Sequence, residues 1–209
     1  MASTARHDAT TALLDAAESL LVEVGYAGIT VRRLAERAGV NHGLVHYYFG
    51  SMEEVFLQTL ERFTDHLIDR QRELYAAEVP FPEKWRTAMR YLNDDYQSGY
   101  QKIWLELQAM AFDNVEMRAR VASVVERWVA VLRPAFATGL AELGVDDERF
   151  PTDAVVALVA TFNQGIMLER LSGADSGHQA LLDMIDGWLS AQEGTVRETG
   201  MRGDTTHKG

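Results

Sequence analysis

The 209-residue chain has no cysteine, only four prolines and no long apolar segment. The absence of cysteine excludes disulfides, thiol-based redox sensing and cysteine metal sites. The longest strongly apolar run, residues 154–162, is nine residues, far short of the roughly 20 that a helix needs to cross a bilayer. No basic segment followed by an apolar one opens the sequence, so it predicts a cytoplasmic protein without membrane association.

Positive charge is also scarce, because 20 basic residues face 31 acidic ones and the net charge is -11. Such an excess disfavours loose binding to nucleic acid, which is mainly electrostatic. The excess is uneven, however. Residues 1–50 hold four basic and five acidic residues, net -1, whereas residues 51–209 hold 16 and 26, net -10. Distant charges are screened over roughly 8 Å in physiological salt, so the N-terminal quarter remains compatible with DNA.

Residues 30–49, TVRRLAERAGVNHGLVHYYF, predict two short helices around a tight turn. Thr30 is a predicted N-cap, and apolar residues follow at helical spacing: Val31, Leu34, Ala35 and Ala38. Gly39 stands where the first helix must end, a position that often needs positive φ. Asn41 is a predicted cap for a second helix that runs to about Tyr48. This arrangement indicates a helix-turn-helix, whose second helix enters the major groove of DNA.

Helical periodicity is also the only periodicity in the rest of the chain, so the predicted fold class is all-α. Ser51-x-x-Glu54 is a capping box that opens a long helix. Pro134 lies inside another predicted helix and should bend or divide it. Residues 154–167 are apolar nearly all round, which predicts a helix buried on both faces. From Gly194 onward apolar periodicity is missing, and residues 194–209 are a predicted disordered tail.

At these residues the chain resembles the TetR family of transcriptional regulators. Upstream of Thr30, residues 25–28 (GYAG) are similar to the family's G-aromatic-x-x-x-T approach, and residues 49–55 (FGSMEEV) to its F-x-S-K-E-E-L entry into helix four. The likeness covers roughly residues 9–58. It implies an N-terminal three-helix DNA-binding domain, residues 1–50, and a larger C-terminal helical domain for ligand binding and dimerisation, residues 51–193.

The second helix of the motif should present one side to DNA. A helical wheel turns Val45 and Phe49 inward and Leu44 outward, where Leu44 could pack on a thymine methyl group. Arg33, on the first helix, is a predicted phosphate or base contact. The resemblance implies DNA contacts at the residues that match the family's usual ones: Thr30, Asn41, His42, Gly43, His46, Tyr47 and Tyr48.

Two positions depart from the family pattern. His46 stands where the family usually has tyrosine, and Met52 where it usually has lysine. Losing that lysine removes one phosphate partner, so the salt slope of DNA binding should be shallower by up to about one ion. Arginine and lysine are absent between Gly39 and Val55, which excludes bidentate recognition of guanine by arginine from this helix.

In the family the C-terminal domain binds a small molecule. The side chains here predict an apolar or aromatic effector and no cofactor or metal, and the candidate ligand residues are Met89, Trp104, Met110, Trp128, Phe162, Asn163 and Met167. Asn163 and Gln164 are unusual in an otherwise apolar segment. They either orient a ligand or form hydrogen bonds across a dimer interface.

A homodimer is expected because one recognition helix of about eight residues spans only ~12 Å and reads few bases. Two-fold pairing places the two recognition helices of a dimer ~34–36 Å apart, which is one turn of DNA, so that they bind a palindromic operator. The predicted dimer interface lies on the last two helices: Val155, Val159, Phe162, Ile166, Leu181, Leu182, Ile185, Trp188 and Leu189. The alternative for these residues is the core of a single chain.

The leading interpretation is a ligand-responsive transcriptional regulator of the repressor type, which binds double-stranded operator DNA and is released by a small molecule. One alternative is a helical protein-interaction adaptor that has lost DNA binding. Another is an all-helical enzyme. Acid/base candidates exist (Glu106, Asp113, Glu116, Glu169 and His178), but they form no recognised catalytic or metal-binding spacing, so the chain is not predicted to be an enzyme.

Overall fold

The computed structural model describes residues 2–204, with the side chains of residues 7–194. All regular structure in this part of the chain is helical, which confirms the predicted fold class. The α-helices are α1 Ala2–Val24, α2 Val31–Ala38, α3 Gly43–Phe49, α4 Met52–Ala76, α5 Phe81–Gln97, α6 Tyr100–Met110, α7 Val115–Glu142, α8 Thr152–Leu171 and α9 His178–Asp204. A short 3-10 turn, Tyr26–Gly28, separates α1 from α2.

The chain divides into two compact units. The first unit comprises Met1–Asp69 and Asp94–Glu126, and the second comprises Arg70–Asn93 and Arg127–Gly209. This division differs from a boundary at residue 50, because most of α4, all of α6 and the start of α7 belong with the N-terminal helices. Periodicity marks where a helix runs, but it does not say which other helix its apolar face covers.

Helices of the first unit are joined by an apolar core and by arginines that each bridge two carboxylates. Leu13, Leu20 and Leu34 are fully buried. Arg62 of α4 lies 2.8 Å from carboxylate oxygens of both Asp15 and Glu18 on α1. A second arginine bridge joins α7 to α4: Arg120 pairs with Glu54 and, at 2.8 Å, with Glu61. Because charge-assisted hydrogen bonds are directional, these ion pairs help to fix how α4 is oriented against α1 and how α7 is oriented against α4.

The second unit has an aromatic core. The ring of Phe136 on α7 is 5.1 Å from the ring of Phe81, 6.4 Å from Trp85 and 6.3 Å from Tyr75. The ring of Phe81 lies against the backbone of α7, since a Cβ added at Gly139 would lie 2.1 Å from Cδ2 of Phe81. A larger residue at position 139 would therefore have to displace the Phe81 ring.

Two sequence expectations about helix ends and breaks differ from the structure. Of the two outcomes predicted for Pro134, division of the helix is wrong, because α7 is continuous from Val115 to Glu142; a bend at Pro134 stays a prediction. The predicted disordered tail is helical as far as Asp204, the end of α9. Residues 205–209 of that tail lie outside the described residues.

Candidate DNA-binding surface

The helix-turn-helix has both of the caps predicted for α2. The hydroxyl oxygen of Thr30 accepts a hydrogen bond from the Arg33 backbone N–H at 3.2 Å. Gly39 has φ 67°, in the left-handed region, and ends α2. The residue directly before α3 is His42, whose side chain makes no capping hydrogen bond. The side-chain oxygen of Asn41, one residue further back than a cap, accepts from the Gly43 backbone N–H at 2.9 Å. The turn thereby fixes the direction in which α3 leaves α2.

One side of α3 is sealed and the other is open to solvent. Val45 is fully buried and Phe49 is 6% exposed, as the helical wheel predicts. On the other side Tyr47 is 74% exposed, and its ring meets that of the half-buried Tyr48 edge-on at 5.0 Å. Thr30, Asn41, His42, Gly43 and His46 are exposed as well, and Leu44 is half-buried. The outward face of α3, defined by Leu44, His46 and Tyr47, can therefore reach a DNA groove.

Charge on this surface is sparse. Arg33 is exposed, and its guanidinium donates a hydrogen bond to the Gly28 carbonyl at 3.2 Å. Arg37 pairs with Glu23 of α1 at 2.7 Å. Hydrogen bonds from Arg37 and Ser19 lower the pKa of the Glu23 carboxyl to about 2. The positive charge of Arg37 is therefore neutralised by its own fold, as expected of a residue outside the DNA contact.

A carboxylate of α6 binds the short 3-10 turn that precedes the helix-turn-helix. Oε2 of Glu106 accepts a hydrogen bond from the Tyr26 backbone N–H at 2.9 Å. The ring of Tyr26 lies 4.7 Å from that of Phe56 on α4, and burial, with Glu53 and Glu106 nearby, raises the pKa of Tyr26. The sequence analysis considered Glu106 only as an acid/base candidate. Eighty residues separate the two partners, and no local pattern could have joined them.

The predicted effector residues do not form one group within either unit. Trp104 and Met110 pack against Leu57, Met117 and other buried residues of the first unit. Met89, Trp128 and Phe162 pack against the aromatic core of the second unit. Met167, also in the second unit, is 2% exposed. Asn163 is half-buried in the same unit, with its side-chain oxygen sealed from solvent.

The second unit also has a surface cleft of about 400 Å³. Its lining belongs to α4, α5 and α7 and includes two cations, Arg72 and Lys84, a carboxylate, Glu142, and the apolar Val131 and Pro134. Nζ of Lys84 donates to the Tyr75 carbonyl at 3.0 Å. This cleft contains none of the seven predicted effector residues, because those residues were chosen for size and apolarity, and large apolar side chains pack into the core.

The residues of the predicted dimer interface lie in different settings within the protomer. Three of its members are buried inside the protomer, Val159, Ile166 and Leu189, and three more pack against the aromatic core: Val155, Phe162 and Ile185. Leu181 and Leu182 are half-buried, and Trp188 is 43% exposed. Because α8 is apolar nearly all round, its sequence did not reveal which stripe faces inward.

A different apolar face of α8 and α9 is open to solvent. Its large members are Leu158, 66% exposed, Leu168, Leu171, Met184 and Trp188. Along α8 the exposed residues recur every three or four positions, at Ala154, Ala157, Leu158, Thr161, Gln164 and Leu168. By length and composition α8 is also apolar enough to cross a membrane, the one such helix among the described residues, and 22% of that stretch is buried.

These features define a helix-turn-helix DNA-binding protein: α2 is capped, a left-handed glycine ends it, and the short α3 has one buried and one exposed side. Residues 13–59 match the family model described as bacterial regulatory proteins, tetR family. The chain is 30% identical over 155 residues to the HTH-type transcriptional repressor KstR2 of Rhodococcus jostii strain RHA1, covering 73% of this chain and 72% of that one. It therefore belongs to the TetR family of transcriptional regulators, which is not a family of enzymes.

Two solved structures have the same fold. One is the fatty acid degradation regulator FadR from Bacillus halodurans, with a TM-score of 0.69, 19% identity, and coverage of 87% of this chain and 94% of that one. The other is the regulator FadR from Bacillus subtilis in complex with stearoyl-CoA, with a TM-score of 0.64, 16% identity, and coverage of 90% and 95%. The chain thus has the same all-helical fold as these two structures.

Proposed function

We propose that the protein is a cytoplasmic repressor that binds a palindromic operator as a homodimer and is released by a small apolar or aromatic effector. The observation that carries the proposal is the outward face of α3, which is backed by the buried Val45 and Phe49. Most of the Tyr47 side chain is exposed and is therefore free to contact DNA.

The DNA contacts follow from the side chains on and beside this face. Tyr47 and His46 can donate to phosphates or base edges, and Leu44 can pack on a thymine methyl group. Gly43 lets the backbone approach the groove. Further contacts are proposed at Thr30, Arg33, Asn41, His42 and Tyr48. Because α3 contains no lysine or arginine, selectivity rests on uncharged contacts and on groove shape.

The homodimer is supported by the open apolar face of α8 and α9. Large exposed apolar side chains on these two helices are the kind of surface that a partner commonly covers. Small residues alternate with large ones there, with Ala154 and Ala157 on α8 and Gly187 and Ala191 on α9. Helices can pack closely at such positions. Because the relatives act on DNA, a second copy rather than a membrane is the proposed cover for α8.

The effector is proposed to bind in the C-terminal part of the chain. The Bacillus subtilis regulator with this fold was crystallised with stearoyl-CoA, which is a property of that protein. In this chain the support is the aromatic core of the second unit, with the partly buried Met89, Trp128 and Phe162 around it. Both α4 and α7 contribute residues to each unit. An effector that shifts either helix can alter α3 only by binding the released form more tightly than the DNA-bound form.

The test is a gel shift with DNA from the chain's own promoter region, at stated salt, comparing wild type with Tyr47→Ala. A lost base contact costs about 1–3 kcal/mol. Because a dimer loses the contact twice, the affinity of Tyr47→Ala for DNA should fall roughly 30-fold or more. The matched control is Phe112→Ala, since Phe112 is exposed to a similar degree, 73%, at the end of α6. The control should bind DNA as wild type does.

Native mass spectrometry completes the test, because Tyr47→Ala should remain a dimer. A Tyr47→Ala dimer that binds DNA normally would contradict the proposed recognition face. A wild-type dimer that binds no promoter DNA would favour the helical adaptor instead.

A further inference from the structure

Two amide side chains of the second unit have a buried oxygen with no hydrogen-bond partner, Gln71 on α4 and Asn163 on α8. Gln71 is 4% exposed. An acceptor removed from water and left unpaired is costly, and buried polar groups in native proteins nearly always have a partner. Since no residue that the structure describes donates to either oxygen, the donor is sought in a bound molecule.

Asn163 lies on the inward side of α8. The residues one turn away on either side are buried: Val159 is 8% exposed, Ile166 5% and Met167 2%. Its neighbour Phe162 has its ring 6.0 Å from that of Trp85. Gln164, in contrast, lies on the open face of α8. The two neighbouring amides of this helix therefore have different surroundings: Gln164 is exposed and available to a dimer partner, and the side-chain oxygen of Asn163 is buried.

Gln71 lies in a similar setting on α4, where Ile68 is 1% exposed and Leu74 9%. Buried hydroxyls earlier on the same helix are satisfied. Thr59 donates to the Val55 carbonyl at 2.7 Å, and the hydroxyl of Thr64 lies 3.2 Å from that of Tyr100. Unpaired acceptors are thus not a general property of α4, and they begin where the helix enters the second unit.

We propose that the effector donates hydrogen bonds to the side-chain oxygens of Asn163 and Gln71, so that it is an apolar molecule bearing hydroxyl or amide N–H groups. This inference rests on the proposed effector-responsive function and adds the chemistry of recognition. The apolar surroundings provide affinity for the body of the molecule. The two acceptors provide selectivity, because an analogue without a donor would leave them unpaired. A carboxylate facing them would meet acceptors of its own kind.

Thermal melting of the ligand-free dimer is the first test. Asn163→Leu and Gln71→Leu each replace an amide that has an unpaired acceptor with an apolar side chain, so each should raise Tm by roughly 2–4 °C. The control is Gln97→Leu, the same change at an exposed amide of α5, which should melt as wild type does. A lowered Tm, or failure to fold, in both amide variants would overturn the inference, because the amides would then make contacts that the empty protein needs.

Binding of a matched probe pair is the second test. 2-Naphthol carries a hydroxyl donor and 2-methoxynaphthalene does not, while their apolar bodies are the same. Wild type should bind 2-naphthol at least about tenfold more tightly than 2-methoxynaphthalene, because only the hydroxyl can donate to an otherwise unpaired acceptor. The Asn163→Leu/Gln71→Leu double variant should lose that preference. Failure of wild type to discriminate, or a preference that survives in the double variant, would overturn the inference.

Gel shifts without probe separate this inference from the proposed function. The amide variants should bind promoter DNA as wild type does, because neither residue is part of the recognition face. Should wild type itself bind no promoter DNA, the proposed repressor function fails, while the melting and probe results still decide the chemistry of the site.

Discussion

Both units of the protein contain ion pairs and aromatic contacts, but they differ in the interaction that joins the most helices. In the first unit arginines bridge pairs of carboxylates between helices, as Arg62 does with Asp15 and Glu18. In the second unit the core is aromatic, centred on Phe136. Ion pairs and hydrogen bonds fix direction, whereas apolar packing is non-directional. A recognition helix needs a fixed orientation, and a site for an apolar effector needs a surface that accepts apolar groups.

The largest expected effect in this comparison is that of Phe136→Ala. The side chain is 2% exposed and its ring contacts three other aromatics, so its removal should cost about 3–5 kcal/mol. Urea unfolding followed by circular dichroism measures the loss, which should be the same at low and high salt because no charge is involved. Phe112→Ala, at an exposed site, should stay within about 0.5 kcal/mol of wild type.

A loss below about 1 kcal/mol for Phe136→Ala would contradict the contrast between the units. It would mean that the aromatic cluster does not hold the second unit together, and that its helices depend on contacts elsewhere.

The next effect is that of a single methyl group at the crossing of α5 and α7. In Gly139→Ala the new Cβ would meet the Phe81 ring at 2.1 Å, and overpacking of this kind costs about 1–3 kcal/mol. Gly194→Ala is the matched control, because Gly194 lies in α9 with no atom within 4 Å of the added Cβ. Both changes gain helix propensity of about 1 kcal/mol. The difference between their unfolding free energies therefore isolates the overpacking, and equal values would show that Phe81 moves aside without cost.

The sequence predicted α3 more accurately than α8, and the reason is composition. α3 has apolar residues on one side, so its period assigned Val45 and Phe49 to the interior, and both are buried. α8 is apolar nearly all round, so its period did not separate Val159, which is buried in the protomer, from Leu158, which is exposed. A helix with no polar face carries no signal for its own rotation.

Contacts between distant segments of the chain could not be predicted from the sequence, for a different reason. Glu106 and Tyr26 are 80 residues apart, and a glutamate on a helix surface carries no mark of the backbone N–H that it binds. The caps of α2 were predictable, because Thr30 and Gly39 act on residues within a turn of themselves. Local rules therefore gave the motif, and the packing that holds it had to come from the structure.

The smallest expected effect concerns the ion pair between α1 and α2 in the first unit. The partners lower the pKa of Glu23 from its ordinary value of 4.5 to about 2. A depressed carboxyl pKa stabilises the folded state fully above pH 4.5, and that stabilisation disappears as the pH falls to about 2. Glu23→Gln should therefore lower the urea midpoint slightly at neutral pH, and the difference from wild type should shrink across this window.

Salt provides the decisive contrast for Glu23, because the pair is exposed and the Debye length falls to about 3 Å at 1 M ionic strength. The difference between Glu23→Gln and wild type should therefore narrow in 1 M salt, whereas the loss in Phe136→Ala should persist. Glu36→Gln, an exposed change on α2, should match wild type at every pH. If the Glu23 difference were constant in both pH and salt, the pair would act through packing, and the first unit would be held together in the same way as the second.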